Sequence, residues 1–317
     1  MSSTALKSGA GTAKRGVTVS AEARRSSLGF ALALPPVLLI ALFVGIPVIL
    51  AVGFSLGMTG GLNETIASIG LGTVEADSWW GTLAVYGAVF SDQRFLRDLS
   101  VTVVITVIST LLVLALSLGI ALYLRLKGGW LANVFAGLAV VPLFIPVVIA
   151  SWAILNFYAN DGFVRTFLSQ FGIDGPTWGY TTVAVVIGSV WTSLPFATLM
   201  AGSGVQAIPD AIIDAARDAG AGITSIVMRI LLPMASIPLI IATTFTAIGI
   251  LGQFTVPYFT GPNAPQMLGV DISKYFSSFN QPQQAVVMAV VVFVLASGVA
   301  FCYVWANFRT AKKEGRV

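Results

Sequence analysis

Six stretches of this chain carry no charged residue. They lie between Arg25 and Glu64, Asp98 and Arg125, Lys127 and Asp161, Asp174 and Asp210, Arg229 and Asp271, and Lys274 and Arg309. Each is longer than the roughly 20 residues a helix needs to cross about 30 Å of hydrocarbon. With 56% hydrophobic and 9% charged residues over 317 positions, a soluble globular domain is excluded. The expectation is an all-α polytopic membrane protein of six transmembrane helices, near 29–55, 99–124, 131–158, 181–203, 231–256 and 283–308. An even number of spans puts both termini on one side. The apolar stretch after Ser27 exceeds a signal-peptide core of about 7–15 residues, so it reads as a retained anchor.

The basic residues say which side faces in. The first 25 residues, the turn at 125–127, the loop 208–229 and the end of the chain hold 13 of the 17 Lys and Arg. The opposite loops hold the other four (Arg94, Arg97, Arg165 and Lys274) together with eight acids. By the positive-inside rule the tails and the 208–229 loop are cytoplasmic and the chain is a multi-pass protein of the plasma membrane. The pI near 9.3 follows from this asymmetry and is no nucleic-acid footprint. The organisation expected is a disordered cytoplasmic tail over 1–25, a membrane domain over 26–308 and a second cytoplasmic tail over 309–317. Trp79 and Trp80, in the long external loop 56–97, suit the headgroup level.

One polar segment, 208–233, carries a helical pattern of its own. Pro209-Asp210 opens a helix, with the carboxylate near the positive end of its dipole. Ile212, Ala215, Ala216 and Ala219 recur at helical spacing, while Asp214, Arg217 and Asp218 share the other side. Gly220 and Gly222 end that helix, and a second, apolar one runs through Ile223, Ile226, Val227 and Ile230. Asp214-Ala215-Ala216, Gly220 four residues beyond Ala216, then Ile230 and Leu232-Pro233 resemble the EAA loop of the membrane subunits of binding-protein-dependent ABC importers. Asp214 stands where that family usually has Glu.

The resemblance implies a type I importer permease with a cytoplasmic coupling-helix loop between spans four and five. It implies a second permease subunit, identical or different, cytoplasmic ATPase subunits that bind the ATP and magnesium, and an extracytoplasmic solute-binding protein. Solute would pass between the two permeases, and Asp214, Ala215, Ala216, Arg217, Asp218, Gly220, Ile230, Leu232 and Pro233 would form the ATPase-coupling loop. The segments FIPVVIASWAILNFY and LGQFTVPYFTGPNAPQMLG are more similar to the polyamine and organic-cation branch than to the sugar branch.

Catalysis by the chain itself is poorly provided for. With no His, His-based acid–base work, His-metal sites and Ser-His triads are excluded, and Cys302 has no partner for a disulfide. No Gly-x-x-x-x-Gly-Lys-Ser/Thr occurs, so the chain has no phosphate cradle and is expected to bind no cofactor. Polar side chains within spans are costly in lipid and point to a cavity. On that basis Trp152, Asn156, Trp191 and Gln253 are the candidates for the solute path, with Ser151, Thr192, Ser193, Thr243, Thr244 and Thr246 more simply bonded to their own helices. A secondary transporter would need a coupling-ion site or an internal repeat, and a membrane enzyme a cluster of nucleophiles, carboxylates or metal ligands. Neither stands out.

Overall fold

A computed structural model describes residues 30–313, with side chains through Arg309, and every regular element among them is helical. The tail expected over 1–25 lies outside the described residues. The first helix, α1 (Phe30–Ser55), is exposed over most of its length and is half-buried or buried over 50–55. Two short helices follow, α2 (Glu64–Ile69) and α3 (Ala84–Ser91). Then α4 (Gln93–Leu126) runs for 34 residues, about 50 Å at 1.5 Å per residue. Next come α5 (Trp130–Phe144), α6 (Val147–Tyr158), α7 (Phe163–Ser169) and α8 (Thr182–Gln206). The loop helices α9 (Asp210–Asp218) and α10 (Ile223–Met234) precede α11 (Ser236–Leu251). Finally α12 (Thr255–Thr260), α13 (Leu268–Ser277) and α14 (Pro282–Lys313) complete the chain.

Prolines account for most departures from six plain spans. The third expected span, 131–158, is two pieces. Ile145 is extended (φ −107°, ψ 122°) because the ring of Pro146 disfavours helical backbone in the residue before it, and α6 starts afresh at Val147. The fifth, expected over 231–256, bends by 72° between α10 and α11, and its longer straight part runs only from Ser236 to Leu251. A widened π turn over Val227–Leu231 precedes Pro233, and another over Ala41–Gly45 precedes Pro47. Such a turn makes room where a proline ring would meet the carbonyl four residues back. The second span starts at Gln93 rather than 99, capped by Asp92, whose carboxylate accepts the Arg94 amide at 2.8 Å. At the far end α14 continues as helix to Lys313, through most of the region expected to be a tail.

The core is a set of layers stacked along the helix bundle. Near one face, Ala121 of α4, Ala201 and Val205 of α8, Ile213, Ile226 and Leu231 pack together. Midway, Val113, Ala197 and Ala242 form the next layer. Toward the other face come Ile105, Val185, Ile250, Val256 and Met267, then Phe95, Leu268 and Met288. Gln283 pins that end of the bundle. Its amide donates to the carbonyls of Phe54 (3.1 Å) and Val74 (2.9 Å) and its oxygen accepts the Val74 amide at 2.8 Å.

Candidate functional site

The α9–α10 corner is built by a backbone motif that its sequence dictates. Gly220, at φ +80°, donates to the Arg217 carbonyl (2.8 Å), and Ala221 donates to Ala216 (2.9 Å). This pair of bonds closes a helix through a left-handed residue, and glycine is the residue that adopts it without strain. Nothing lies within 4 Å of where a Cβ on Gly220 would sit, so conformation, and not crowding inside this chain, calls for glycine there. Gly222 has ordinary extended backbone (φ −71°) and carries no such requirement.

The helix faces differ from the spacing argument in one respect. The inward line of α9 is Ile213 and Ala216, because Ile213 is the residue that reaches the layer of Val205, Ile208 and Ile226. Ile212, Ala215 and Ala219 are exposed, as are Asp214, Arg217 and Asp218. Arg217 pairs with Asp214 at 3.4 Å, an exposed i,i+3 contact that adds little stability. On α10, Ile230 and Leu232 are half-buried and Pro233 is exposed, while Ile223 and Met228 stand largely in the open. The corner thus presents an apolar line through Ile212, Ala215, Ala219, Ile223 and Met228, edged by three charges and anchored from behind by Ile213 and Ile226.

The other candidates do not meet at one point. Trp152 and Asn156 lie one turn apart on the open side of α6, where the Asn156 amide donates to the Trp152 carbonyl (2.8 Å). Trp191 faces the opposite side of α6, lining an apolar hollow of about 400 Å³ with Ile149, Ile154, Phe157 and Tyr158. Gln253 sits in the turn after α11. Its oxygen accepts the buried Ser189 hydroxyl at 2.6 Å and its amide donates to the Thr192 hydroxyl at 3.3 Å. Gly188 makes this closeness possible, since a Cβ there would come within 2.6 Å of the Val256 side chain on α12. Ser151, Thr192 and Thr243 each return a hydroxyl bond to their own helix, as their residue type suggests.

Two polar clusters were missed by sequence reasoning. Asp98, counted among external loop acids, is fully buried one turn inside α4, where it accepts the Gln266 amide at 3.2 Å. Across from it Asp271 of α13, also buried, accepts from Arg94 (3.0 Å) and from the Gln266 side chain (2.9 Å). Burial, then the facing Asp98 carboxyl, push the Asp271 carboxyl from its ordinary 3.8 up to about 7, with Arg94 opposing the shift. At the other end of α4, Arg125 pairs with Asp210 and donates to the Ile208 carbonyl at 2.6 Å. Only the run of charge at 92–98 and the isolated Arg125 hinted at either cluster, and both partners lie far along the chain.

The family described as "Binding-protein-dependent transport system inner membrane component" matches residues 112–311. Over 300 residues the chain is 26% identical to the trehalose/maltose transport system permease protein MalF of Thermococcus litoralis, covering 92% of this chain and 96% of that one. It is 28% identical over 141 residues to the spermidine/putrescine transport system permease protein PotB of Escherichia coli, covering 44% of this chain and 51% of that one. In fold it is similar to a chain of a bacterial ABC transporter involved in alginate import, with TM-score 0.68 at 18% identity over 93% of this chain and 99% of that one.

Proposed function

Since the chain belongs to the family of binding-protein-dependent transport system inner membrane components and is the permease subunit of a type I ABC importer, we propose that it carries a neutral, carbohydrate-like solute and is driven through its α9–α10 corner by a separate ATPase. The observation that carries the coupling part is the corner itself. An apolar line of Ile212, Ala215, Ala219, Ile223 and Met228 stands exposed on a short, rigid helix pair whose other side is locked into the bundle. Small residues let a partner groove approach closely, and Asp214, Arg217 and Asp218 orient it. ATP-driven movement of the partner then rocks the spans and opens the path alternately to each side.

For the solute, the relative matched over nearly the whole chain is a trehalose/maltose permease. The polar side chains that the spans leave open, Asn156 on α6 and the half-buried Thr192 on α8, are neutral hydrogen-bonding groups, as a polyol requires. A polyamine is the second reading, supported by the shorter match to a spermidine/putrescine permease. The exposure of Trp152 and Asn156 on the open side of α6 supports a reading in which they face a second permease subunit across the path. The tails and the corner lie on the cytoplasmic side, and a solute-binding protein docks on the other.

Purifying the tagged chain from its native cells tests the coupling reading. An ATPase and a second permease should accompany it, and Gly220→Glu should lose the ATPase while still inserting. A glutamate at φ +80° strains the turn by roughly 1–2 kcal/mol and places a charge on the apolar line. Normal ATPase retention by a well-inserted Gly220→Glu chain would remove the corner from coupling. Thermal-shift binding of trehalose against spermidine to the co-purified binding protein decides between the solute classes.

A further inference from the structure

The α4 helix ends in a contact that its role as a membrane span does not require. Leu118, Ala121, Leu122 and Leu126 form one stripe of α4 packed against the layer that contains Ile213 and Ile226, and Arg125 lies on the same stripe between Leu122 and Leu126. Its side chain is 16% exposed and its guanidinium forks. One arm donates to the Ile208 carbonyl at 2.6 Å and the other pairs with the Asp210 carboxylate. Ile208 is the last residue before the proline that leads into α9, and Asp210 is the first residue of α9.

Helix α9 has no cap of its own. Pro209 stands at its N-cap with no side-chain oxygen to offer, and no side-chain cap bond forms. Arg125 supplies the missing fixation from another helix, holding the carbonyl just before α9 and the carboxylate of its first turn together. As a source of stability the pair is minor, because the Asp210 side chain is 77% exposed to water. What the fork sets is geometry. A planar guanidinium grips two acceptors at fixed angles, which an ammonium cannot do.

We propose that Arg125 is a positioning residue for energy coupling, fixing the start of α9 to the inner end of α4 so that the second span moves as one body with the loop that the ATPase grips. Without it, movement of α9 reaches the bundle through Ile213 and the α10–α11 bend but slips relative to α4. This rests on the coupling role given above to the α9–α10 corner.

The test uses nitroxide labels on cysteines replacing Ala211 on α9 and Val107 on α4, both exposed, with Cys302 replaced by Ser. Val107 lies 18 residues before Arg125, about 27 Å along the helix. Distances are read by pulsed electron paramagnetic resonance in the complex purified with its ATPase, with and without ATP and vanadate. The chain with Arg125 intact should give one narrow distance that nucleotide does not shift. Arg125→Gln should give a broader distance that shifts on adding ATP and vanadate, with the ATPase retained and the thermal midpoint unchanged. Arg125→Lys, which keeps the charge that holds the topology, should fall between them, and it decides the matter if the Gln variant does not insert. A distance in both variants, or in Lys alone where Gln fails to insert, as narrow and nucleotide-independent as with Arg125 would overturn the inference. Loss of the ATPase from the complex even with Arg125 intact would instead remove the coupling role of the corner.

Discussion

Gln253 shows how much a single side chain's meaning depends on partners that local sequence does not reveal. Its position after Gly252 and before Pro257, where a span breaks, marks it as a polar group at membrane depth, and irregular backbone there lines a cavity or is buried in protein. The structure gives Gln253 two partners on α8, and the Ser189 hydroxyl, wholly buried, has no acceptor other than the Gln253 oxygen among the described residues. Gln253→Leu should therefore orphan Ser189 and cost about 1–3 kcal/mol of stability. The expected result is a lower yield of detergent-extracted complex and a lower thermal midpoint, with uptake per folded complex falling less. A variant with wild-type yield and lost uptake would instead put the side chain in the solute path. The Schellman turn at Gly220 was legible because a glycine two residues past a helical pattern has one common use. Which face of α9 turns inward was not, because Ile212 and Ile213 are equally apolar and only the neighbouring α8 and α10 choose between them.

At the scale of whole helices, α13 is the element whose attachment is expected to weaken as pH rises. It is held on the outer end of α4 by the Gln266 and Leu268 amides, which donate to Asp98 (3.2 Å) and to the Thr102 hydroxyl (2.9 Å), and by the contacts of Asp271 with Arg94 and Gln266. Lys274 donates to the Gln266 oxygen at 2.8 Å, and Tyr275 to Asp92 at 3.2 Å, so cations and acids from both helices face the cluster. Because Asp271 binds its proton more tightly folded than unfolded, the stability it contributes is complete below about 3.8 and is lost as pH rises through about 7. The thermal midpoint in detergent should fall between pH 5 and pH 8, and Asp271→Asn should flatten that slope, since an amide mimics the protonated carboxyl. An equal slope in both proteins would show that the proton is elsewhere. Beyond the run of charge at 92–98, sequence offered no access to this cluster, whose facing members stand 166 positions or more apart in chain order. The breaks in the third and fifth spans, at Pro146 and before Ser236, were not read from sequence, because hydropathy averages over a proline and reports one long apolar run.

For the molecule as a whole, the two ends of α4 fix two faces about 50 Å apart, and everything else sorts to one or the other. At the Gln93 end lie α2, α3 and α13 with the buried acids, and at the Leu126 end lie Arg125, α9 and α10. Five long apolar helices, or six with the bent α10–α11 pair counted as one span, answer to the six charge-free runs, because runs longer than a bilayer thickness have few other uses. Orientation then rests on charge alone, with 13 of the 17 Lys and Arg assigned to the tails and to the α4–α5 turn and α9–α10 face. The prediction is that α9 and α10 are cytoplasmic and α2 external. In a background with Cys302 replaced by Ser, single cysteines at Ser68 on α2 and Thr224 on α10 are both exposed and carry no packing role, so labelling reports sidedness rather than burial. A membrane-impermeant maleimide added to intact cells should modify the cysteine at 68 and spare the one at 224, and permeabilising the inner membrane should make both reactive. The reverse pattern in intact cells would place the corner outside, where no ATPase could reach it, and the charge asymmetry would then have to be explained by something other than insertion. If both cysteines reacted in intact cells, the parity of the spans between α2 and α10 would be wrong, and the bent pair α10–α11 or the broken pair α5–α6 would be the place where the chain turns back without crossing.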